Sequence, residues 1–143
     1  MTDETSPDMP VMIYDWNDGT IREVAENIWH AQSAGYADEL TYLYRNRAGK
    51  RKIRNENMKG IPGDSLPVNH PNKTSLDEYL FASTLQNEGS VWIGKAKISH
   101  QNAQRDLMNK FYRENNAYLK GTTLRFKVKV VNHPLGEVKK VKL

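Results

Sequence analysis

Hydrophobic and polar positions change period several times along the 143 residues, and each change marks an element. Val11-Met12-Ile13-Tyr14 is a short apolar run that predicts a strand. Thr20-x-x-Glu23 reads as a capping box, after which Ile21, Val24, Ala25, Ile28 and Trp29 recur at helical spacing. Gly35 is the expected stop of that helix. Leu40-Thr41-Tyr42-Leu43-Tyr44 predicts a second strand, which runs straight into a basic block. Gly60-Ile61-Pro62-Gly63 predicts a turn, and residues 63–75, with Pro67, Asn69, Pro71 and Asn72, predict a loop. Loops of that length usually carry function. Asn87-Glu88-Gly89 is a further turn signal before a strand over Val91–Ile98. Ser99 is the expected N-cap of a helix with the stripe Leu107, Met108, Phe111 and Tyr112, closed by Gly121. Leu124, Phe126, Val128 and Val130 then alternate with Arg125, Lys127 and Lys129, which predicts a strand with one apolar and one basic face.

Helices and strands follow one another without regular βαβ alternation and without an internal repeat, so the expected class is α+β. The expected layout is an N-terminal helix, a few-stranded antiparallel sheet and a ββα unit in a single domain over residues 11–143. Residues 1–10, acidic and carrying Pro7 and Pro10, read as a tail or linker. No apolar run approaches the roughly 20 residues of a membrane span. Met1-Thr2-Asp3-Glu4 does not open a signal peptide. With no cysteine, disulfides and thiolate metal sites are excluded.

Charge is distributed unevenly. The net value is +4, yet residues 1–20 hold five acids and no Lys or Arg. Residues 43–60 hold seven bases against Glu56, and residues 119–143 hold seven against Glu137. Two basic blocks on one small domain suit a polyanionic partner. The bases expected to meet it are Arg51 and Lys52 in the first block, and Arg125, Lys127 and Lys129 in the second.

The candidate chemistry centres on Asp77-Glu78, at the head of the run Tyr79-Leu80-Phe81-Ala82-Ser83-Thr84. With the following strand and helix it forms a ββα-type unit. A hairpin can hold a base that activates water, and a helix start can hold an oxygen ligand for a hard divalent ion. Asp77, Glu78, Gln101, Asn102 and Gln104 supply oxygen ligands of that kind. His70 and His100 are alternative bases. No zinc-type histidine spacing, phosphate-binding glycine loop or nucleophile elbow is present.

The stretch Asp77-Glu78-Tyr79-x-Phe81-Ala82-Ser83-Thr84 resembles the NucA/NucB-type bacterial deoxyribonucleases. Arg54-x-Glu56-x-Met58-Lys59-Gly60-Ile61-Pro62 is similar to a run that precedes it in that family. Gln104, Leu107, Phe111 and Tyr112 resemble its helix, and Thr123–Val130 its closing strand. The similarity covers roughly residues 38–131, in four pieces in the right order. Leu80 departs from the family's Pro, Asn87-Glu88-Gly89 from its Gly-Gly turn, and Arg105-Asp106 from its small helix residues.

The resemblance implies a metal-dependent DNA endonuclease with little sequence preference. Asp77 would be the general base, with Glu78 supporting or replacing it. Arg54 would brace the carboxylates or bind the scissile phosphate. Gln101, Asn102 or Gln104 would hold Mg²⁺ or Mn²⁺. The expected context is a monomeric enzyme that is secreted or delivered into a target cell, alone or as the toxin tip of a larger effector. An acidic immunity protein would then cover the basic site. The alternatives are a metal-independent ribonuclease toxin using His70 or His100 with Glu78, and a nucleic-acid-binding module without chemistry.

Overall fold

The structure, a computed structural model, describes residues 9–42, 47–62, 65–67, 69–81, 84, 91–117 and 123–138. Their order is β1 (Val11–Asp15), α1 (Arg22–Ser33), β2 (Glu39–Thr41), α2 (Arg47–Met58), β3 (Thr74–Tyr79), β4 (Trp92–Lys97), α3 (Ile98–Glu114) and β5 (Arg125–Val131). The class is α+β, as expected. Three strands form one sheet in the order β1-β5-β2, and β3 and β4 form an antiparallel hairpin. Residues 1–8 of the expected tail, the turn at Asn87-Glu88-Gly89 and Gly121 lie outside the described residues.

The larger sheet is mixed rather than antiparallel: β1 runs parallel to β5, while β2 pairs with β5 antiparallel. No hairpin can join β1 to β5, because nearly the whole chain separates them. A parallel pair is the geometry such a long connection permits.

Alternation settles which side of this sheet is inside. Phe126, Val128 and Val130 of β5 are buried with Met12 and Tyr14 of β1, while Lys127 and Lys129 are exposed. The apolar stripe of α1 (Val24, Ala25, Ile28, Ala31) joins the same core. Each fully buried Val, Ile, Met or Phe side chain among these contributes about 1.5–3 kcal/mol. The Gln32 amide donates both to the Tyr79 hydroxyl, at 3.0 Å, and to the Val128 carbonyl, at 2.9 Å, so α1 is tied to both sheets.

Two expected caps are replaced by one reciprocal pair. Thr20 does not cap α1; its hydroxyl donates to Asp18. The Glu23 N–H instead donates to Nδ1 of His100, at 3.1 Å, and the Glu23 carboxylate accepts the Lys97 N–H, at 2.7 Å. Ser99 likewise is not the cap of α3, which starts at Ile98. The first turns of α1 and α3 thus satisfy each other's orphan donors.

The basic block is helix α2. Arg, Ala, Lys, Glu and Met favour helix, but without an apolar stripe the periodicity is silent. Just past its last residue, Met58, the chain turns at Gly60 with φ +80°, a left-handed conformation open to glycine.

Candidate active site

Asp77 and Glu78 lie in a regular strand, so they point to opposite faces of the hairpin. Ser75, Asp77 and Tyr79 face α1 and α3: they meet Gln101, Gln104 and Gln32 respectively. Glu78 faces α2 through Asn57. The pair at the mouth of a run is therefore two separate carboxylates, each almost fully buried, at 4% and 5% exposure.

Asp77 is enclosed by amides. Asn27 of α1 donates to Oδ2 at 3.1 Å, and Gln104 of α3 donates to Oδ1 at 3.4 Å. The Tyr14 hydroxyl donates in turn to the Gln104 carbonyl oxygen, at 3.1 Å, which orients that amide. Asn27 reaches Asp77 through a gap in β4. Gly94 is the register partner of Asp77, and a Cβ there would lie 2.6–2.9 Å from the Asn27 amide atoms. Asn27 also donates to the Lys95 carbonyl, at 3.0 Å, so both its amide hydrogens are used.

Burial pushes the Asp77 carboxyl up from 3.8 to about 6, helped by the nearby Glu78. Hydrogen bonds from Asn27 and Gln104, and the charge of Arg54, pull the other way without overcoming desolvation. The result is a carboxyl that changes protonation close to neutrality, the condition for an efficient general base.

On the other face, α2 is fastened across the hairpin by two side chains. Asn57 donates to Oε2 of Glu78, at 3.2 Å, and Arg54 donates to the Leu76 carbonyl, at 2.7 Å. The second oxygen of Glu78, Oε1, is buried and has no partner. Lys50, Arg51 and Lys52 project from α2 into solvent.

The three amides named for a metal do not converge. Gln104 touches Asp77, but its nitrogen faces the carboxylate and its oxygen is taken by Tyr14. Gln101 is turned to Ser75 and the Ala96 carbonyl. Asn102 is exposed. Glu78 is on the opposite face. Among the described residues no group of three His, Asp or Glu is arranged to hold an ion. These residues do not fit a preformed centre for Mg²⁺ or Mn²⁺ at Asp77.

The two histidines offered as bases serve the backbone. His100 Nδ1 caps α1, and His70 Nδ1 accepts the N–H of Asn72 in an exposed turn. The basic face of β5 is not beside Asp77: Lys127 and Lys129 point outward, whereas Tyr14 reaches the Asp77 cluster from the inner face of that sheet. Arg125 and Lys129 are also matched by carboxylates, Glu39 at 3.3 Å and Glu137 at 3.7 Å. Arg51, Lys52 and Arg54 share one helix over the hairpin, so they and the β5 bases form two surfaces rather than one.

Asn27, Gly94 and Asn57 belong to the site and were not legible in advance. Asn27 fills a polar position between the apolar residues of α1, and Gly94 interrupts a strand-like run; glycine inside a strand often marks a close approach of this kind. No protein-family model matches the chain, and no curated protein matches it.

Proposed function

We propose that this protein is a DNA endonuclease that hydrolyses phosphodiester bonds with little sequence preference. The observation that carries the reading is Asp77: a buried carboxyl on the hairpin strand of a ββα unit, held between two amide donors, with its titration moved to about 6. A carboxylate so placed can take the proton of an attacking water at neutral pH. Arg54, on the helix pinned over the same strand, is the group to hold a phosphate oxygen, because a guanidinium pairs with phosphate bidentately. The exposed bases of α2, Arg51 and Lys52 among them, would hold the backbone beyond the scissile bond without reading sequence.

Mg²⁺ or Mn²⁺ enters this reading as the cofactor through the family resemblance. Delivery as a secreted nuclease or as the toxin part of an effector, as a monomer, with an acidic immunity protein as partner, belongs to the same reading. No described helix is long and apolar enough to cross a membrane.

The test is supercoiled plasmid incubated with the protein and Mg²⁺ or Mn²⁺, with and without EDTA. Conversion to nicked and linear forms that EDTA stops supports the reading. Intact plasmid alongside degraded RNA that EDTA leaves unaffected replaces it with a metal-independent ribonuclease. Binding without cleavage of either leaves a nucleic-acid-binding module.

A further inference from the structure

β1 ends the larger sheet, whose strand order is β1-β5-β2. Its pairing with β5 uses only half of its peptide groups. The Lys127 N–H donates to the Pro10 carbonyl and the Trp16 N–H to the Val131 carbonyl, each at 2.9 Å. Residues turned towards the partner alternate along a strand, so Pro10, Met12, Tyr14 and Trp16 face β5. Val11, Ile13 and Asp15 face the other way. The Asp15 carbonyl is taken by the Asp18 N–H in the turn that follows. The N–H and C=O groups of Val11 and Ile13 meet no partner among the described residues. A free edge is usually blunted by a lysine, an internal proline, a bulge or a cover. Here the five residues of β1 run in unbroken register with β5. The side chains standing outward on this edge are Val11 and Ile13, at 40% and 52% exposure.

The next strand inward sets the charge of this surface. Lys127 and Lys129 are the register partners of Val11 and Ile13 and stand on the same outer face. Lys127 forms no ion pair among the described residues, and Lys129 meets only the exposed Glu137, at 3.7 Å. An exposed pair of that kind is weak and readily exchanged. Open peptide groups are matched by another peptide strand, and the free bases beside them by carboxylates on that strand. We infer that the free edge of β1 is a docking site for an extended, acidic segment of a partner protein, which joins the sheet as a fourth strand. Such a strand lies about 10 Å from β5, two inter-strand spacings. The stems of Lys127 and Lys129 can then lie over Val11 and Ile13 and carry their charges to carboxylates on its outer face. A second copy of this chain is the poorer occupant, because it brings the same uncompensated bases to the join. The docking face is not the one that holds Asp77, so the inference stands whether or not the protein cuts DNA.

The test uses the full chain with a short, end-capped peptide of alternating Glu and Val, and its Lys–Val counterpart as control. Amide hydrogen exchange read by NMR locates the contact. With the Glu–Val peptide the Val11 and Ile13 amides gain protection, while those of Met12 and Tyr14, already turned to β5, change little. Replacing Lys127 and Lys129 together by Glu weakens binding about tenfold, as two exposed ion pairs become repulsions. Both side chains are exposed, and circular dichroism checks that the fold is kept. The Lys–Val peptide binds the wild type more weakly than the Glu–Val peptide by a similar factor, and a Glu–Val peptide N-methylated throughout, which has no backbone donors, does not bind. The inference is overturned if the Glu–Val peptide fails to bind or protects other amides instead, if the Lys–Val peptide binds as tightly, if the N-methylated peptide binds, or if the double variant keeps full affinity. Protection of Val11 and Ile13 in the protein alone also overturns it. Protection that grows with protein concentration makes the occupant a second copy, and protection independent of concentration means that the chain covers its own edge.

Discussion

Replacing Asp77 with Asn should make the protein more stable at neutral pH and abolish its cleavage of DNA. The reasoning starts from the proton. In the unfolded chain Asp77 titrates at its ordinary value, 3.8; in the folded protein burial moves it to about 6. The folded state therefore holds this proton more tightly. Its contribution to stability is fully present below the unfolded value and is lost as pH rises through the folded one. Each pH unit of difference corresponds to 1.36 kcal/mol, so the change from 3.8 to about 6 is worth about 3 kcal/mol. Asn at position 77 has no proton to lose. Asn27 and Gln104 both donate to Asp77, so one of them must turn its oxygen to the new amide, at the cost of about one hydrogen bond, roughly 1 kcal/mol. That cost is the same at every pH.

The measurable quantity is thus the difference in unfolding free energy between the two proteins as pH changes. Urea unfolding, followed by circular dichroism in buffer with EDTA, supplies it. The variant should gain about 3 kcal/mol on the wild type between about pH 4 and about pH 7.5. Nicking of plasmid, assayed separately with Mg²⁺, should fall by about 10²–10⁴-fold, the usual worth of a general base. Parallel stability curves would refute the argument that burial governs Asp77. A variant that nicks normally would move the base to another residue whatever the stability curves show.

Gly94→Ala should destabilise by about 1–3 kcal/mol, because its Cβ has to enter the space of the Asn27 amide; the penalty should shrink sharply in an Asn27→Ala background, which a double-mutant cycle reads directly. His100→Ala should cost about 1 kcal/mol by removing the cap on the Glu23 N–H, with nicking preserved; lost nicking in a folded variant would return His100 to the chemistry. Reversing Arg51 and Lys52 to Glu should weaken DNA binding and flatten its salt dependence, each lost phosphate contact removing a little under one from the log–log slope. The same reversal at Lys127 and Lys129 should change that slope less, because Lys129 is already opposed by Glu137.

The elements that were legible in the sequence are those with an apolar period. The stripe of α1 and the alternation of β5 set the helix, the strand and the buried face correctly, to within a residue or so at the ends. Helix α2 has no such stripe and went unread. The caps at Thr20 and Ser99 were misassigned for a different reason: a local motif competes with distant donors, and here Glu23 is drawn to Lys97 and His100, more than seventy residues away. Parallel pairing of β1 with β5 is likewise a property of the whole chain.

The adjacency of Asp77 and Glu78 is the clearest case in which a sequence motif and its geometry say different things. Side by side in the chain, they suggest one shared site; in a strand with period two they cannot share one. Strand pairing separates them, and then their surroundings differentiate them. Asp77, on the helix side, receives two amide donors and is complete, so burial appears as a shifted titration. Glu78, on the α2 side, receives one donor from Asn57 and keeps a second, buried oxygen without a partner. Two neighbouring carboxyls of the same intrinsic chemistry thereby come to sit in unlike surroundings, and only Asp77 is placed between two amide donors.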